Sequence, residues 1–339
     1  MEFLDLFAGI GGFRMALERA GHECVGFCEI DKYARQTYKA NFNTEGEAEW
    51  HDITTVTTGD IGELGTVDII CGGFPCQSFS VAGKRGGFED ARGTLFFEIA
   101  RIAKQIQPRY LLLENVKGLL SHDEGNTFGT ILNTLDELGY DCSWQVLNSK
   151  NFGVPQNRER VFIVGHSRRF PRREVFPVGD SAQEDIPRAE NTGIQIIHDK
   201  RQTGETRIYR DICPTVTRFW GAGGGNVPYV RDEPKLVGGI GEKNFGKQYR
   251  QGNRVYDADA LAMCLNAQPV GNAGGNSYLY KVGSRIRKLT PLECFRLQGF
   301  PDSHHDNAKA VGVSDSQLYK QAGNAVTVNV VYEIARRLT

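Results

Sequence analysis

Short apolar runs alternate with helical patterns along the first half of the chain, and this alternation limits the possible folds more than any other feature. Strands are predicted for the apolar runs at 2–7, 24–29, 67–71, 110–113, 141–147 and 160–165. Helices are predicted between them, at 13–20, 31–41, 94–105 and 127–138. Strands that alternate with helices in this way are typical of α/β proteins with a doubly wound sheet.

The character of the chain changes after about residue 170, where prolines and glycine clusters separate short strand-like runs. We interpret this part as a second, smaller, loop-rich domain. Helical patterns return near the end of the chain, and the last of them, at 326–338, is amphipathic enough to pack on the first domain's sheet. We therefore predict a discontinuous large domain, 1–185 plus 315–339, and a second domain with its hinge at 186–314.

Charge is unevenly distributed along the chain. Residues 200–296 contain 16 lysines and arginines against 8 acids, a net charge of +8, whereas the whole chain carries −1 and the remainder therefore −9. This asymmetry is consistent with one basic domain that faces a polyanion, and a merely solvated basic face is the alternative.

The cysteines and the apolar content indicate the compartment. None of the eight cysteines forms a CxxC pair, which favours free thiols and argues against a zinc site, so we expect no metal. No stretch approaches the roughly 18 apolar residues of a membrane helix, and the N-terminus is predicted to be a buried strand rather than a signal peptide. We therefore expect a cytoplasmic protein.

One cysteine, Cys76, follows a predicted strand directly. It lies in Gly72-Gly73-Phe74-Pro75-Cys76-Gln77, where two glycines and a proline are expected to end the strand and turn the chain. Open α/β sheets bind ligands at the carboxyl ends of their strands. Cys76 is therefore a candidate catalytic thiol at the mouth of a cleft, and a loop cysteine of no consequence is the alternative.

A glycine turn follows the first predicted strand, in Asp5-Leu6-Phe7-Ala8-Gly9-Ile10-Gly11-Gly12. Such glycines let a nucleotide-like ligand approach the backbone and the start of the next helix. Glu29 ends the next strand, where an acid suits ribose hydroxyls. Because the GxGxxG pattern is incomplete, an adenosyl ligand without pyrophosphate fits better than a dinucleotide, and a purely structural turn is the alternative.

Three more positions carry candidate chemistry, each with a plain alternative. Glu114, at the end of a predicted central strand, has apolar neighbours that would raise its pKa, with a helix N-cap or a paired surface acid as the alternative. Arg158 and Arg160 alternate onto one side of a strand, where two guanidiniums bind carboxylate, phosphate or carbonyl oxygen, with surface solvation as the alternative. Asn324 either contacts a ligand or simply ends a helix.

Taken in order, these segments resemble the DNA (cytosine-5) methyltransferases of bacteria and phages over nearly the whole chain. The matching segments are Asp5 to Gly12, Glu29, Asp52, Pro75-Cys76-Gln77, Arg92-Gly93-Thr94-Leu95, Glu114-Asn115-Val116, Gln156-x-Arg158-x-Arg160, Arg287 to Cys294, and Gln321-x-Gly323-Asn324-Ala325-Val326. The resemblance implies a doubly wound mixed sheet of the S-adenosylmethionine-dependent (Rossmann-like) type, with a smaller, irregular, β-rich target-recognition domain.

The resemblance also implies the reaction and the site residues. S-adenosylmethionine donates a methyl group to carbon 5 of a cytosine flipped out of duplex DNA, through a covalent adduct with the thiol, and S-adenosylhomocysteine is the product. The implied catalytic residues are Cys76, Glu114, Arg158 and Arg160. The implied cofactor-binding residues are Phe7, Gly9, Gly11, Gly12, Glu29, Ile30, Asp52, Pro75, Leu95 and Asn324.

Two departures from the family pattern are visible. Ile30 stands where the family often has an aromatic ring against the adenine, and residues 258–267 fit the recognition-domain pattern less well than 214–217. Which of these two segments reads bases is left open, as is the recognised sequence. We expect a monomer, because one chain supplies every part. The sequence leaves open whether a cognate restriction endonuclease exists in the same system, and no physical complex with one is implied.

Three other functions are alternatives to this one. An RNA cytosine-5 methyltransferase would share the catalytic core, although the long basic segment at 171–290 favours duplex DNA. A nicotinamide oxidoreductase would leave Gln156 to Arg160 and Asn324 unexplained. A non-enzymatic DNA-binding regulator would not need Cys76, Glu114 and Arg160 together.

Overall fold

The structure is a computed structural model. It describes residues 1–75, 95–179 and 289–338 in full, and between 195 and 288 it describes the backbone of short strands. Cys76, the rest of 76–94, and the candidate base-reading segments at 214–217 and 258–267 lie outside the described residues.

One mixed sheet forms the centre of the large domain. Its strands are β1 Glu2–Leu6, β2 Glu23–Cys28, β3 Ala48–Trp50, β4 Ile69–Gly73, β5 Tyr110–Val116, β6 Tyr140–Asn148 and β7 Glu159–Ser167. They lie in the order β3-β2-β1-β4-β5-β7-β6. The first five in this order are parallel, and β7 is antiparallel to both β5 and β6. The predicted doubly wound mixed sheet is confirmed, and its strand order reverses between β1 and β4, where such sheets bind ligands.

Helices cover both faces of this sheet. Those described are α1 Gly12–Arg19, α2 Lys32–Asn41, α3 Thr58–Gly62, α4 Leu95–Ile106, α5 Asn126–Glu137, α6 Pro291–Leu297, α7 Asp302–Ala310, α8 Asp315–Asn324 and α9 Val328–Ala335. Segments of 3₁₀ helix lie at Ile53–Thr55, Lys117–Gly125 and Ser149–Phe152. No helix in the described part of the chain is long and apolar enough to cross a membrane.

The core has two layers, because the central strands are apolar on both sides. Phe3 and Leu4, neighbours on β1, are both fully buried but belong to different apolar clusters. One cluster packs α1 and the C-terminal helices against the sheet, and the other packs α3, α4 and α5. The first cluster includes Phe295 and Ala308, so α6 and α7 pack with the large domain, although the sequence division assigned residues 186–314 to the recognition domain and hinge.

Both β4 and β5 extend past their predicted ends. We expected Gly72 and Gly73 to stop β4 and turn the chain, but the strand includes both glycines and ends at Gly73. A Cβ on Gly72 would lie 2.4 Å from the carbonyl oxygen of Leu6, so this glycine permits close approach of β1 rather than a turn. Similarly, β5 continues to Val116 because it pairs with β7, so Glu114 lies within the strand and not at its end.

The backbone described between 195 and 288 consists of nine short strands. They are β8 Gln195–Asp199, β9 Thr206–Arg210, β10 Tyr229–Val230, β11 Leu236–Gly239, β12 Lys243–Asn244, β13 Gln248–Tyr249, β14 Arg254–Asp257, β15 Leu279–Val282 and β16 Arg285–Lys288. These strands form small sheets in the orders β10-β8-β9, β11-β14-β15-β16 and β12-β13. This irregular β structure agrees with the predicted character of the second domain.

Candidate active site

A cleft of about 400 Å³ opens at the carboxyl ends of the central parallel strands. Its walls come from the segments after β1, β2 and β4, from β5 and β7, and from the end of α8. This volume is within the range of small-molecule sites, and its position is the one expected for an open α/β sheet. The predicted site residues in the lining are Phe7, Gly9, Glu29, Pro75, Glu114, Arg158, Arg160 and Asn324.

The glycine turn after β1 contributes to this cleft mainly through Gly9. Gly9 has a φ of +56° and lines the cleft, and the preceding Phe7 also has a positive φ of 54°, which is strained for a residue with a side chain. Gly11 and Gly12 have a different reason to be glycine. A Cβ on Gly11 would lie 2.2 Å from the Phe42 ring, and a Cβ on Gly12 would lie 2.7 Å from a methyl of Val326. These two glycines allow the turn to pack, and neither is in the lining of the cleft.

Glu29 is held rigidly at the end of β2. Its Oε2 accepts a hydrogen bond from the Gly9 amide at 2.8 Å, and its Oε1 accepts one from the Asp31 amide at 2.7 Å. Burial raises the pKa of the Glu29 carboxyl, and the two amide hydrogen bonds partly oppose that rise. Each oxygen keeps a second lone pair, so the carboxylate can accept from the two hydroxyls of a ribose.

Three other predicted cofactor residues stand outside the lining that the described residues form. Ile30 is 72% exposed beside Glu29, where the Arg35 guanidinium binds the carbonyl oxygens of both residues at 2.9 and 2.7 Å. Asp52 caps the 3₁₀ segment Ile53–Thr55 by accepting from the Thr54 amide and hydroxyl. Leu95 begins α4 and packs against the second core cluster.

Glu114 and Arg160 form an ion pair in the cleft. The Arg160 Nε lies 3.1 Å from Glu114 Oε1, and the two side chains are only 16% and 12% exposed. Burial raises the pKa of the Glu114 carboxyl, as the sequence predicted, while the charges of Arg160 and Arg158 oppose the rise. Gly73, paired with Glu114 across β4 and β5, leaves room for the carboxyl, since a Cβ there would lie 3.0 Å from Oε2.

Arg158 lies on the same side as Arg160, as predicted, and is 3% exposed. Its Nη2 donates to the carbonyl oxygens of Ala325 at 2.9 Å and of Gly323 at 3.3 Å. Arg158 therefore holds the junction between α8 and α9, where Asn324 stands at the edge of the cleft.

Asn115, on β5, connects this strand to the segment that leads to Cys76. It is 2% exposed, and its Nδ2 donates to the Phe74 carbonyl at 2.8 Å. Its Oδ1 accepts from the Val116 amide at 2.8 Å. Cys76 itself lies outside the described residues, but Pro75, which precedes it, lines the cleft.

Several residues that contribute to the site were not among the predicted ones. Gly73, Asn115, Lys320 and Gln321 all contact or line the cleft. Asn115 and Gln321 stand inside the matching family segments, so the segments were the available signal, but their contacts depend on neighbours far away in the sequence.

A second cavity, of about 700 Å³, opens near the amino ends of β2 and β3. Its lining includes Glu18, Glu23, Glu45, Glu47 and Glu63. This acidic lining does not suit an anionic ligand or DNA. Within residues 1–75, 95–179 and 289–338, no group of three or more histidine, cysteine or acidic side chains is arranged to hold a metal ion.

Comparison with known proteins agrees with this geometry. The family model described as C-5 cytosine-specific DNA methylase matches residues 1–339. The type II methyltransferase M.HhaI of Haemophilus parahaemolyticus is 38% identical over 345 residues, covering 99% of this chain and 93% of the relative. M.HpaII of Haemophilus parainfluenzae is 40% identical over 353 residues, covering 99% of this chain and 88% of the relative.

Phage proteins and solved structures extend this comparison. The orphan methyltransferase M.Rho11sI of Bacillus phage rho11s is 30% identical over 493 residues, covering all of this chain and 97% of the relative. The crystal structure of the S. pombe Dnmt2 methyltransferase has a TM-score of 0.65 at 20% identity, covering 100% of this chain and 98% of that one. A putative DNA modification methyltransferase encoded within an E. coli prophage has a TM-score of 0.59 at 21% identity, covering 100% of this chain and 98% of that one, and these two structures support the fold.

The residues that line the cleft fit an adenosyl ligand, because a rigid carboxylate at the end of β2 faces a glycine turn without a full dinucleotide pattern. The protein belongs to the C-5 cytosine-specific DNA methylase family and is a DNA (cytosine-5) methyltransferase that uses S-adenosylmethionine.

Proposed function

We propose that Cys76 is the nucleophile of this reaction and that Glu114 and Arg160 bind the target cytosine. The observation that carries the proposal is the partly buried Glu114–Arg160 pair, at 3.1 Å, in the same cleft as Pro75, the residue before Cys76. Perturbed, paired carboxyls in a cleft are typical of functional sites.

The chemistry of cytosine explains these residue types. Carbon 5 is a poor nucleophile, and addition of a thiolate to carbon 6 converts carbon 5 into an enamine carbon. A thiol suits this role because thiolates form near neutral pH. Attack places negative charge on the ring, so a protonated or proton-sharing Glu114 at ring nitrogen 3 would stabilise it. Glu114 can also accept from the exocyclic amine.

Arg160 is suited to bind the ring carbonyl oxygen, since its guanidinium is already oriented by Glu114. Arg158 is proposed to act indirectly, through the position of Asn324. Its guanidinium donates to the carbonyl oxygens of Gly323 and Ala325, which flank Asn324. S-adenosylmethionine, when bound, supplies an electrophilic methyl group. Glu29 would hold its ribose, and Phe7, Gly9 and Asn324 would complete the pocket. Loss of the carbon 5 proton, through water, then releases Cys76 by elimination.

The substrate is proposed to be duplex DNA with the cytosine flipped out of the stack, because carbons 5 and 6 are inaccessible within a helix. Unstacking costs on the order of a few kcal/mol. The net charge of +8 in residues 200–296 supports contacts to phosphates, and the glycine-rich, basic sequence after Cys76 supports closure over the base.

The partner, the oligomeric state, the location and the domain boundaries are also proposals. Relatives named type II methyltransferases suggest a cognate restriction endonuclease in the same system, without a physical complex. The single chain contains every candidate catalytic and cofactor residue, which supports a monomer. We also propose that it acts in the cytoplasm. The large domain is proposed to include α6 and α7, which share its core, and the target-recognition domain is proposed to lie between 186 and about 288.

Replacement of the thiol tests the mechanism. Cys76→Ser should abolish methyl transfer to DNA while S-adenosylhomocysteine binding, measured by calorimetry, stays within about twofold of wild type, because the hydroxyl is a far weaker nucleophile. Full activity of this variant would refute the thiol mechanism.

A trapping experiment tests the covalent step directly. DNA containing 5-fluorocytosine should form a stable adduct with the wild-type enzyme, because fluorine cannot leave as a cation. An active enzyme that forms no adduct would contradict the proposal. Parallel reactions with duplex DNA and transfer RNA test the substrate class, and bisulfite sequencing of DNA from expressing cells would identify the recognised sequence.

A further inference from the structure

Four residues form a continuous buried hydrogen-bond network next to the cleft. They are Ser149, Arg158, Gln298 and Thr327, and none is more than 3% exposed. Ser149 begins the 3₁₀ segment after β6, Gln298 follows α6, and Thr327 precedes α9. The network therefore joins segments that are far apart in the sequence. Because each buried polar group needs a partner in a defined direction, such a network fixes the relative position of the segments that it joins.

The carbonyl of Ala322 determines the direction of the hydrogen bonds in this network. A carbonyl oxygen can only accept, so Gln298 turns its Nε2 toward Ala322, at 2.7 Å, and its Oε1 toward Thr327. The Thr327 hydroxyl donates its proton to Oε1 at 2.9 Å. Its oxygen then accepts from the Ser149 hydroxyl, which lies 2.8 Å away. The three side chains therefore have one consistent arrangement of protons.

Arg158 lies at both ends of the network. Its carbonyl oxygen accepts from the Ser149 amide at 3.0 Å. Its guanidinium donates to the carbonyl oxygens of Gly323 and Ala325, on the C-terminal side of the carbonyl that Gln298 binds. The circuit thus closes around the junction between α8 and α9. This junction cannot shift relative to Arg158 without breaking at least one of these hydrogen bonds.

Thr327 takes part in this network instead of capping its own helix. It is the N-cap residue of α9, a position at which threonine usually accepts a hydrogen bond from an amide of the first turn. The Thr327 side chain makes no such hydrogen bond, and its hydroxyl is directed to Gln298 and Ser149. A local preference is thus given up for a tertiary contact, which is expected where a position has a functional role.

The position of Arg158 bears on the reaction through Glu114. Both residues line the cleft, and the positive charge of Arg158 opposes the rise in the pKa of the Glu114 carboxyl. Rates in active sites are sensitive to such placement, since a shift of about 1 Å can cost on the order of 100-fold. Whatever holds Arg158 and the α8–α9 junction together therefore affects the rate.

We propose that Gln298 is a positioning residue for methyl transfer, and that Thr327 and Ser149 orient its carboxamide so that the α8–α9 junction and Arg158 keep one relative position. The proposal rests on the proposed function of the cleft and deepens it, because it names what holds Arg158 in place. It concerns the rate of the reaction rather than the binding of DNA or cofactor.

Single-turnover methyl transfer with saturating cofactor tests this. Gln298→Met removes both side-chain hydrogen bonds at similar volume and should lower the rate by about tenfold. The affinities for S-adenosylhomocysteine and for duplex DNA, measured by calorimetry, should stay within about threefold of wild type. Thr327→Val should also lower the rate, whereas Thr327→Ser keeps the hydroxyl and should stay within about twofold of wild type.

A triple variant separates positioning from stability. Ser149→Ala, Thr327→Val and Gln298→Met together replace the three linked side chains by apolar ones of similar size, so no hydroxyl is left without a partner. Such joint replacement can be nearly neutral for stability. The triple variant should therefore regain most of the thermal stability that Gln298→Met loses. It should remain about tenfold slower than wild type, because apolar contacts do not fix one direction.

Gln145→Met is the matched control. Gln145 also binds the backbone with both ends of its carboxamide, since its Nε2 donates to the Val178 carbonyl at 3.2 Å and its Oε1 accepts from the Val178 amide at 2.8 Å. It lies on the edge strand β6, outside the cleft lining that the described residues form. This variant should lower thermal stability and leave the single-turnover rate unchanged.

A triple variant that regains both stability and rate would overturn the proposal, because the network would then serve stability alone. A wild-type rate in Gln298→Met would overturn it as well. If Gln298→Met does not fold, Thr327→Val and Thr327→Ser decide the question, and equal rates for these two would refute the positioning role. Failure of the thiol mechanism would show separately, as absence of the 5-fluorocytosine adduct with the wild-type enzyme.

Discussion

Replacing Asn115 by leucine would remove the hydrogen bond that ties β5 to the segment before Cys76. In the wild type, Nδ2 donates to the Phe74 carbonyl at 2.8 Å, and both residues are at least 97% buried. The variant leaves that carbonyl without this donor in the core, which costs about 1–3 kcal/mol. If half of the upper value, about 1.5 kcal/mol, is lost as transition-state stabilisation because the thiol is misplaced, kcat falls by roughly tenfold.

The assay separates positioning from stability. Methyl transfer should be followed under single-turnover conditions with saturating cofactor, alongside urea unfolding and S-adenosylhomocysteine calorimetry. We expect a lower rate and lower stability, with cofactor affinity within about twofold of wild type, since Glu29 and Gly9 are untouched. Asn115→Asp is the matched variant, because it keeps the acceptor for Val116 but sets a carboxylate oxygen against the Phe74 carbonyl. An unchanged single-turnover rate in a destabilised Asn115→Leu enzyme would refute the positioning argument.

Three further predictions concern the cofactor half of the domain. Glu29→Gln should weaken S-adenosylhomocysteine binding by about tenfold or more in calorimetry, because the side-chain NH2 of glutamine would then face one of the two backbone N–H groups that Glu29 accepts from. Unchanged affinity would show that Glu29 does not bind the ribose. Burial lowers the pKa of His304 to about 4, against 6.5 for the free side chain. The unfolded chain therefore binds a proton that the folded one rejects, and stability should fall by up to about 3 kcal/mol as pH drops through that window. The free energy of unfolding in urea should show this pH dependence in the wild type and not in His304→Phe. The same change of unfolding free energy with pH in both proteins would contradict the prediction. Gly11→Ala should cost about 2 kcal/mol or more in urea unfolding, because φ is +86° and the new Cβ meets Phe42, whereas Gly21→Ala has the same φ in open space and should cost less. Equal costs would rule out the steric clash.

Two acids that line the cleft could be singled out from the sequence, because each follows an apolar run. Glu29 was expected to bind ribose and Glu114 to have a raised pKa, and burial in the folded protein raises the pKa of both carboxyls. Gly11 and Gly12 remain predicted cofactor residues, and the structure adds a packing reason for both to be glycine. Their missing side chains make room for Phe42 and Val326, and contacts with residues so distant in the sequence cannot be inferred from the glycine turn itself.

Strand ends were the other source of error. Gly72 and Gly73 have low strand propensity, so local reasoning ends β4 before them. Pairing keeps both in the sheet, because Gly72 pairs with β1 and β5 and Gly73 pairs with β5. The same cooperative pairing carries β5 past Glu114. Tertiary hydrogen bonding outweighed a local preference at both places.

The sequence alone determined the alternation of strands and helices, the order of the family segments and the chemical identity of the candidate groups, because these depend on local periodicity and residue type. The tertiary structure decided which of those groups meet. It brought Arg160 to Glu114, turned Arg158 toward Ala325, and set Thr37 against Gln321 across 284 positions of sequence. Such contacts arise only when the sheet closes and two helices pack, since side-chain direction depends on the whole surrounding core and not on the neighbours along the chain.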